Sequence, residues 1–197
     1  MISYIKKSLG CLLIAVTLTS CTTMAPPPTS VSWQNRQLAL NQLQQWQLNG
    51  KVGIQTAQNA GSANLSWIED KQHHYTLSLT GPLGTGGLKL TGQPGLVILE
   101  TSDGKRYTAQ TPEQLIESGW DLPLTPLYYW IRGIPVPDVP SHRQFDTDHR
   151  LNTLTQYQAQ IQYLSYTHVG QVELPNKIFI TSPRVKIKII IYEWKLL

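Results

Sequence analysis

Cysteine, net charge and long apolar runs are all scarce in this chain, and each shortage removes a class of function. The two cysteines, Cys11 and Cys21, fall within or just after an N-terminal leader, so no disulfide is expected to staple the folded part. The apolar stretch Leu9–Leu18 behind Lys6 and Lys7 is shorter than the roughly 20 residues a transmembrane helix needs. It has instead the layout of a secretory signal: a positive start, a short greasy middle, then small residues. The formal net charge is +4, and loss of Lys6 and Lys7 with the leader brings it to +2. That leaves no electrostatic footprint for nucleic acid.

Catalytic and metal-binding patterns are also missing. The histidines are His73, His74, His142, His149 and His168. The adjacent pair His73 and His74 would point to opposite faces of a strand, so they cannot chelate together. No Cys or His pair has metal-ligand spacing, so no metal and no cofactor is expected. There is no Gly-x-Ser-x-Gly elbow, and no lysine follows Gly84–Gly87 in the way a phosphate loop requires. Asp70, Asp103, Asp146 and Asp148 sit in turn sequences and Glu113 at a helix start, where capping and solvation account for them. No enzyme is expected, although two carboxylates meeting in space would escape this reading.

The leader ends in Leu18-Thr19-Ser20-Cys21, which resembles the bacterial lipobox. Cys21 is therefore the expected lipidation site, carrying an S-diacylglycerol and an N-acyl chain. Thr22 stands where an aspartate would retain a lipoprotein in the inner membrane, so the outer membrane of a Gram-negative bacterium, on its periplasmic face, is expected. Each buried methylene contributes about 0.8 kcal/mol, and two or more chains together anchor stably. The expected organisation is a removed signal at 1–20, a lipid anchor and proline-rich tether at 21–32, and a single domain at 33–197. The segment after Cys21 is long enough for one sizeable core and too short for two typical domains.

Within that domain, Ser32 reads as an N-cap. Trp33, Leu40, Leu43 and Trp46 then form a helical stripe over Trp33–Gln47. Short alternating runs follow at Lys51–Thr56, Ala63–Glu69, His74–Thr80, Gly87–Thr91, Leu96–Thr101 and Lys105–Ala109. Turn sequences between them, including the strong hairpin signal Asp103-Gly104, indicate an antiparallel meander. Thr111-Pro112 starts a helix ending near Ser118, and Thr125-Pro126 starts Leu127–Arg132, stopped by Gly133. The proline-rich Ile134–Pro140 is neither helix nor central strand. Strands resume at Asp148–Tyr157, Gln160–Tyr166, Lys177–Ser182 and Arg184–Trp194. About ten strands in meander order curl with their own twist, and the intervening helices suit the concave face. Trp33, Trp46, Trp67, Trp120, Trp130 and Trp194 either pack the core or line a cavity for acyl chains.

The segment Leu77–Gly92 draws most attention. Two alternating strands flank Gly81-Pro-Leu-Gly-Thr-Gly-Gly87, a loop rich in residues that permit positive φ. Leu83 at its tip has no obvious core to join. It either folds back under the loop or projects as an apolar probe for a membrane or a greasy ligand.

Taken together these features carry a family likeness. After the lipobox come Trp33-x-x-Arg36, Gly50-Lys51, Leu65-Ser-Trp67, Tyr75-x-Leu-x-Leu-x-Gly-Pro-Leu-Gly84 and Gly104-x-x-Tyr107. Then follow Leu127-x-x-Trp-Ile-x-Gly-Ile-Pro135, Leu174-Pro175 and Trp194. This ordered set resembles the LolB family of outer-membrane lipoprotein receptors, related in fold to the periplasmic carrier LolA. The likeness spans essentially the whole chain after the signal. It implies a mainly β fold: an unclosed, half antiparallel β-barrel of about eleven strands, with helices plugging its concave face around an apolar cavity. It also implies partners, namely a LolA-like carrier, acylated lipoproteins as cargo, and the inner leaflet of the outer membrane. Transfer would need no ATP, and a loop leucine, here Leu83, would deliver the cargo. Leu65, Trp67, Leu77, Leu79, Leu88, Leu90, Trp130 and Ile134 are the expected cavity-lining residues, and a monomer is expected. One departure stands out. Where the family has Gln-x-Gly-Trp, this chain has Gln156-Tyr-Gln158-Ala159, so that turn and its tryptophan are expected to be lost. A scaffolding lipoprotein without a cavity and a lipid-processing enzyme are the alternatives.

Overall fold

The computed structural model describes residues 32–70, 72–118 and 124–197; the leader, Cys21, the tether up to residue 31 and Trp120 lie outside the described residues. Eleven strands form one antiparallel sheet: β1 (Trp46–Thr56), β2 (Ala60–Glu69), β3 (Tyr75–Thr80), β4 (Gly87–Gln93), β5 (Leu96–Thr101) and β6 (Arg106–Ala109), then β7 (His142–Phe145), β8 (Leu151–Gln156), β9 (Ala159–Val169), β10 (Val172–Thr181) and β11 (Val185–Leu196). The spatial order is β6-β5-β4-β3-β2-β1-β11-β10-β9-β8-β7. The first six strands run outward from β1 and the last five run back to it, so β11 pairs with β1 and the two halves join along Gly50↔Ile191 to Thr56↔Val185. The edges β6 and β7 do not pair with each other, which leaves the barrel open.

Period-two patterning decides which face is inside. Leu48, Val52, Leu65, Trp67, Leu77, Leu79, Leu90 and Leu99 are buried from one half of the sheet, and Ile161, Ile178, Ile187 and Ile189 from the other. Burial of these apolar side chains, at roughly 25 cal/mol per Å² of apolar surface, is what holds a domain without a disulfide together. Trp46 sits at the centre of an aromatic cluster, its ring 5.2 Å from Trp67 and 5.4 Å from Trp194.

Helix α1 (Trp33–Asn41) starts on the expected Ser32 cap, whose hydroxyl accepts the Asn35 N–H at 3.3 Å. It ends six residues earlier than the apolar spacing suggests. Trp46 belongs to β1 and pairs with Glu69 and Leu196, because Trp46, Leu48 and Val52 alternate and the buried strand face outweighs the helix propensity of the Gln- and Leu-rich stretch before it. Pro112–Ser118 is a 3-10 segment. Helix α2 (Leu124–Trp130) begins before the expected Thr125 cap. Pro126 therefore lies in its first turn, where the missing N–H has no partner to lose. Its C-terminus is a Schellman motif: Gly133 N–H reaches the Trp130 carbonyl at 3.0 Å and Ile134 N–H the Tyr129 carbonyl at 3.3 Å. Gly133 takes φ 78°, and a Cβ there would lie 3.1 Å from Pro175.

Two stretches differ from what the sequence predicts. Strand β7 carries no apolar alternation to announce it, because all four of its residues are exposed. The β8–β9 turn is also not lost. Gln156 pairs with Ala159, and Tyr157 and Gln158 both take positive φ, 51° and 60°. This is a two-residue primed turn made without glycine, and Ala159 is buried where the family has tryptophan.

Candidate functional site

The inner face of the β1–β5 half carries the site. Across β2, β3 and β4 the register pairs Leu65 with Leu79, Trp67 with Leu77, Leu79 with Leu88, and Leu77 with Leu90. Leu127 of α2 and Ile131 just beyond it lie over this surface. A hollow remains between sheet and helix, lined by Val52, Leu65, Trp67, Leu77, Leu79, Leu127, Ile131, Ile187 and Ile189, with a volume of about 20 Å³. That is room for about one water molecule. Leu127 and Ile131 fill this part of the concave face, where an apolar cavity is expected. An empty apolar hole destabilises a fold by about 24 cal/mol per Å³, so the helix settles into it.

Four of the expected lining residues, Leu65, Trp67, Leu77 and Leu79, border this hollow. Leu90 is fully buried beside them. Leu88 is half-buried and lines a surface groove. Trp130 and Ile134 are fully buried, and Trp130 faces the other half of the sheet: its indole donates to Gln156 Oε1 at 3.0 Å, and its carbonyl accepts from the Tyr163 hydroxyl at 3.0 Å.

Two larger spaces adjoin the hollow. One, of about 370 Å³, opens at the end of the sheet where α2 begins; Trp67, Glu69, Tyr75, Val97, Leu124, Tyr128 and Tyr129 are among its walls, with Gln93, Gln110 and Glu113 among its polar lining. It shares Trp67 with the hollow. The other is an open groove of about 300 Å³ under the β3–β4 loop, lined in part by Val52, Ile54, Ala63, Leu79 and Leu88, and it shares Val52 and Leu79 with the hollow. The inward residues of β2 therefore form one apolar strip from Trp67 through Leu65 to Ala63, touching all three spaces. Glu69 to Gly61 along that strand is about 27 Å.

The loop above the groove is built to project. Gly81 N–H donates to the Gly86 carbonyl at 3.2 Å and the Thr85 hydroxyl to the Pro82 carbonyl at 2.8 Å, closing the loop on itself. A Cβ on Gly81 would lie 2.1 Å from the Thr85 carbonyl oxygen, and one on Gly87 2.3 Å from that of Leu79. Glycine is the residue that fits there. Leu83 takes φ 61° and is 100% exposed. A β-carbon in this left-handed conformation costs about 1–2 kcal/mol, so the loop holds a greasy side chain in water against its own backbone preference.

Three buried polar residues, Glu69, Arg132 and Gln156, organise the closure. Glu69 accepts the Trp67 indole N–H at 3.3 Å. Burial pushes its carboxyl up to about 7, opposed by that hydrogen bond and the Arg132 charge. Arg132 donates from Nη1 to the carbonyls of Leu40 and Leu43, at 3.0 and 3.1 Å, and its guanidinium lies 4.0 Å over the Tyr128 ring. It thereby ties the end of α2 to the segment leaving α1. Gln156 receives Trp130 and the Val136 N–H, and donates to the carbonyls of Val136 and Val139. The start of α2 has the Thr125 hydroxyl, which donates to Glu113. Only Glu69 left a trace in the sequence, as a charge on the inward parity of Leu65 and Trp67. Among the described residues no group of three or more His, Cys, Asp or Glu could hold a metal ion.

Comparison with known proteins gives this geometry a family. Residues 44–194 match the family described as "Outer membrane lipoprotein LolB". The chain is 40% identical over 165 residues to an outer-membrane lipoprotein LolB of Pseudomonas putida, covering 83% of this chain and 80% of that one. It is 34% identical over 197 residues to another from Stutzerimonas stutzeri, covering 96% and 95%. Among solved structures, a LolA superfamily protein from Nitrosomonas europaea shares the fold with a TM-score of 0.53 at 7% identity, covering 85% of this chain and 94% of that one. A DUF1329 family protein from Desulfovibrio piger does so with 0.57 at 6%, covering 83% and 90%. The unclosed eleven-stranded sheet is that shared fold, and the chain belongs to the LolB family of outer-membrane lipoproteins.

Proposed function

We propose that this chain, anchored through Cys21, accepts acylated lipoproteins from a LolA-like periplasmic carrier and inserts their acyl chains into the inner leaflet of the outer membrane. Family membership supports a role in lipoprotein localisation. The observation that carries the finer reading is the continuous apolar strip along β2, which joins the mouth at α2, the hollow, and the groove beneath Leu83. Cargo chains move along it by exchanging one apolar contact for another. No bond is made, so neither ATP nor a catalytic residue is required.

The hollow fills by displacement. Gln156 and Arg132 pin the C-terminal end of α2, so its N-terminal end swings, carrying Leu124 and Leu127 off the sheet. Each acyl methylene that replaces them contributes about 0.8 kcal/mol of burial, and a single chain offers enough methylenes to offset the exposed helix face. Leu83 then leads the chains into the bilayer. A lipoprotein loaded on its purified carrier should pass to the Cys21→Ala variant on mixing, without nucleotide; cargo that stays on the carrier contradicts the proposal.

The 20 Å³ of the hollow favours one rival, a scaffold whose interior stays filled. An apolar fluorescent probe that binds, and that fatty acid displaces, argues against that rival. A probe that never binds argues for it.

A further inference from the structure

The outer face of the sheet where its two halves join is basic and unpaired. Three rows cross β1, β11 and β10 there: Gln55, Lys186 and Thr181; Gly53, Lys188 and Phe179; Lys51, Ile190 and Lys177. Rows two residues apart are about 7 Å from one another and neighbouring strands about 4.8 Å, so four lysines share a patch of about 14 by 10 Å. Lys51, Lys186 and Lys188 are exposed and Lys177 is half-buried. Among the described residues none of the four is in an ion pair. The acids of these three strands are both engaged, Glu193 with Asn49 and Glu173 with Arg36 and Arg150. The flanking outward residues are uncharged, with Ser62 and Asn64 on β2 and Gln160 and Gln162 on β9.

The patch lies at a definite end of the molecule. Thr56 pairs with Val185 and Asn64 with Thr80, so the β1–β2 and β10–β11 turns project from the same end as the Leu83 loop. Arg184 in the second of these turns adds a further cation beside Lys186. Lys188 lies 5.4 Å over the Phe179 ring, an apolar and cationic pair at the centre of the patch.

We propose that this lysine face binds anionic phospholipid headgroups and holds the sheet against the bilayer so that Leu83 reaches the acyl region. The inference rests on reading Leu83 as a membrane-facing tip. Phospholipid fits better than an acidic protein for two reasons. Lysine is depleted in protein–protein interfaces. Its compact ammonium on a flexible stem also suits dispersed phosphates on a flat surface. Basic residues near such a surface attract anionic lipid, and the attraction falls off within a Debye length.

The test is flotation of the full chain carrying Cys21→Ala with vesicles of phosphatidylcholine alone or with added phosphatidylglycerol. The parent should bind the anionic vesicles at least about tenfold more tightly, less so at high salt. Lys51→Gln, Lys177→Gln, Lys186→Gln and Lys188→Gln together should remove that preference, lowering affinity for the anionic vesicles by about tenfold or more. The same four positions as arginine should restore it, which separates charge from misfolding. Equal binding by the glutamine variant and the parent, or no preference of the parent for anionic vesicles, overturns the proposal. A glutamine variant that binds vesicles normally but no longer takes cargo from the carrier assigns the face to protein docking and also overturns it. Leu83→Glu should keep the charge-dependent binding. If that variant delivers cargo normally while the glutamine variant loses the vesicles, the reading of Leu83 fails and the lysine face stands.

Discussion

The indole N–H of Trp130 donates to the Gln156 side chain at 3.0 Å, and this contact joins α2 to the far half of the sheet. The same carboxamide also accepts Val136 N–H and donates to the Val136 and Val139 carbonyls. All of its hydrogen-bonding capacity is therefore used within the fold, and the proline-rich crossing from Ile134 to Pro140 is fastened by one side chain.

Gln156→Leu keeps the bulk but strands several buried donors and acceptors. It should destabilise the fold by about 3 kcal/mol, a fall of roughly 10 °C in Tm for a domain of this size. Calorimetry on the purified variant measures this directly.

Glu69 makes stability depend on pH. Its carboxyl titrates at about 7 in the folded chain against an ordinary 4.5, so the native state binds that proton more tightly than the unfolded one. Its contribution to stability is therefore full below about 4.5, declines as pH rises through the window to 7, and is flat above it. Glu69→Gln removes this slope and should exceed the parent by up to about 3 kcal/mol above pH 7. Melting curves at several pH values check both signs.

Leu83 separates stability from function. Leu83→Asn places a residue that tolerates positive φ at the loop tip, and should stabilise the fold by up to about 1 kcal/mol. Leu83→Glu should leave acceptance of cargo intact and block its delivery to membranes. Loss of acceptance would place Leu83 among the cavity residues instead.

Cys21→Ala should release a soluble, folded protein from membranes. Fractionation of cells expressing the variant tests this, and a variant that stays with the membrane contradicts the lipid anchor.

Much of the sheet was legible because burial imposes a period of two. Leu65, Trp67, Leu77 and Leu79 alternate with polar residues, and their strands lie where alternation puts them. Strand β7 was not legible because an exposed edge needs no apolar face. The extent of α1 was misread because Trp46 satisfies a helical spacing to Leu43 and a strand spacing to Leu48 at once. Pairing with β2 and β11 settles that ambiguity, and pairing is a property of distant sequence. The same limit applies to the site. Strand parity brings Leu65 and Leu79 to the hollow, but the orientation of α2 decides that Trp130 faces Gln156. The volume of the hollow depends on how deeply Leu127 and Ile131 settle, which no local pattern encodes. The roles of Arg132 and Gln156 in closing the helix were also hidden, because polar side chains acquire buried partners through tertiary contacts.

The central claim is that cargo acyl chains occupy the strip between α2 and the sheet. Photo-crosslinking residues placed singly at Leu65, Leu79 and Lys188, followed by loading with an acylated lipoprotein, test it most directly. Crosslinks to the cargo lipid at Leu65 and Leu79, and none at Lys188 before membranes are added, are the expected result. Cargo that crosslinks at Lys188 and at neither leucine would contradict the account.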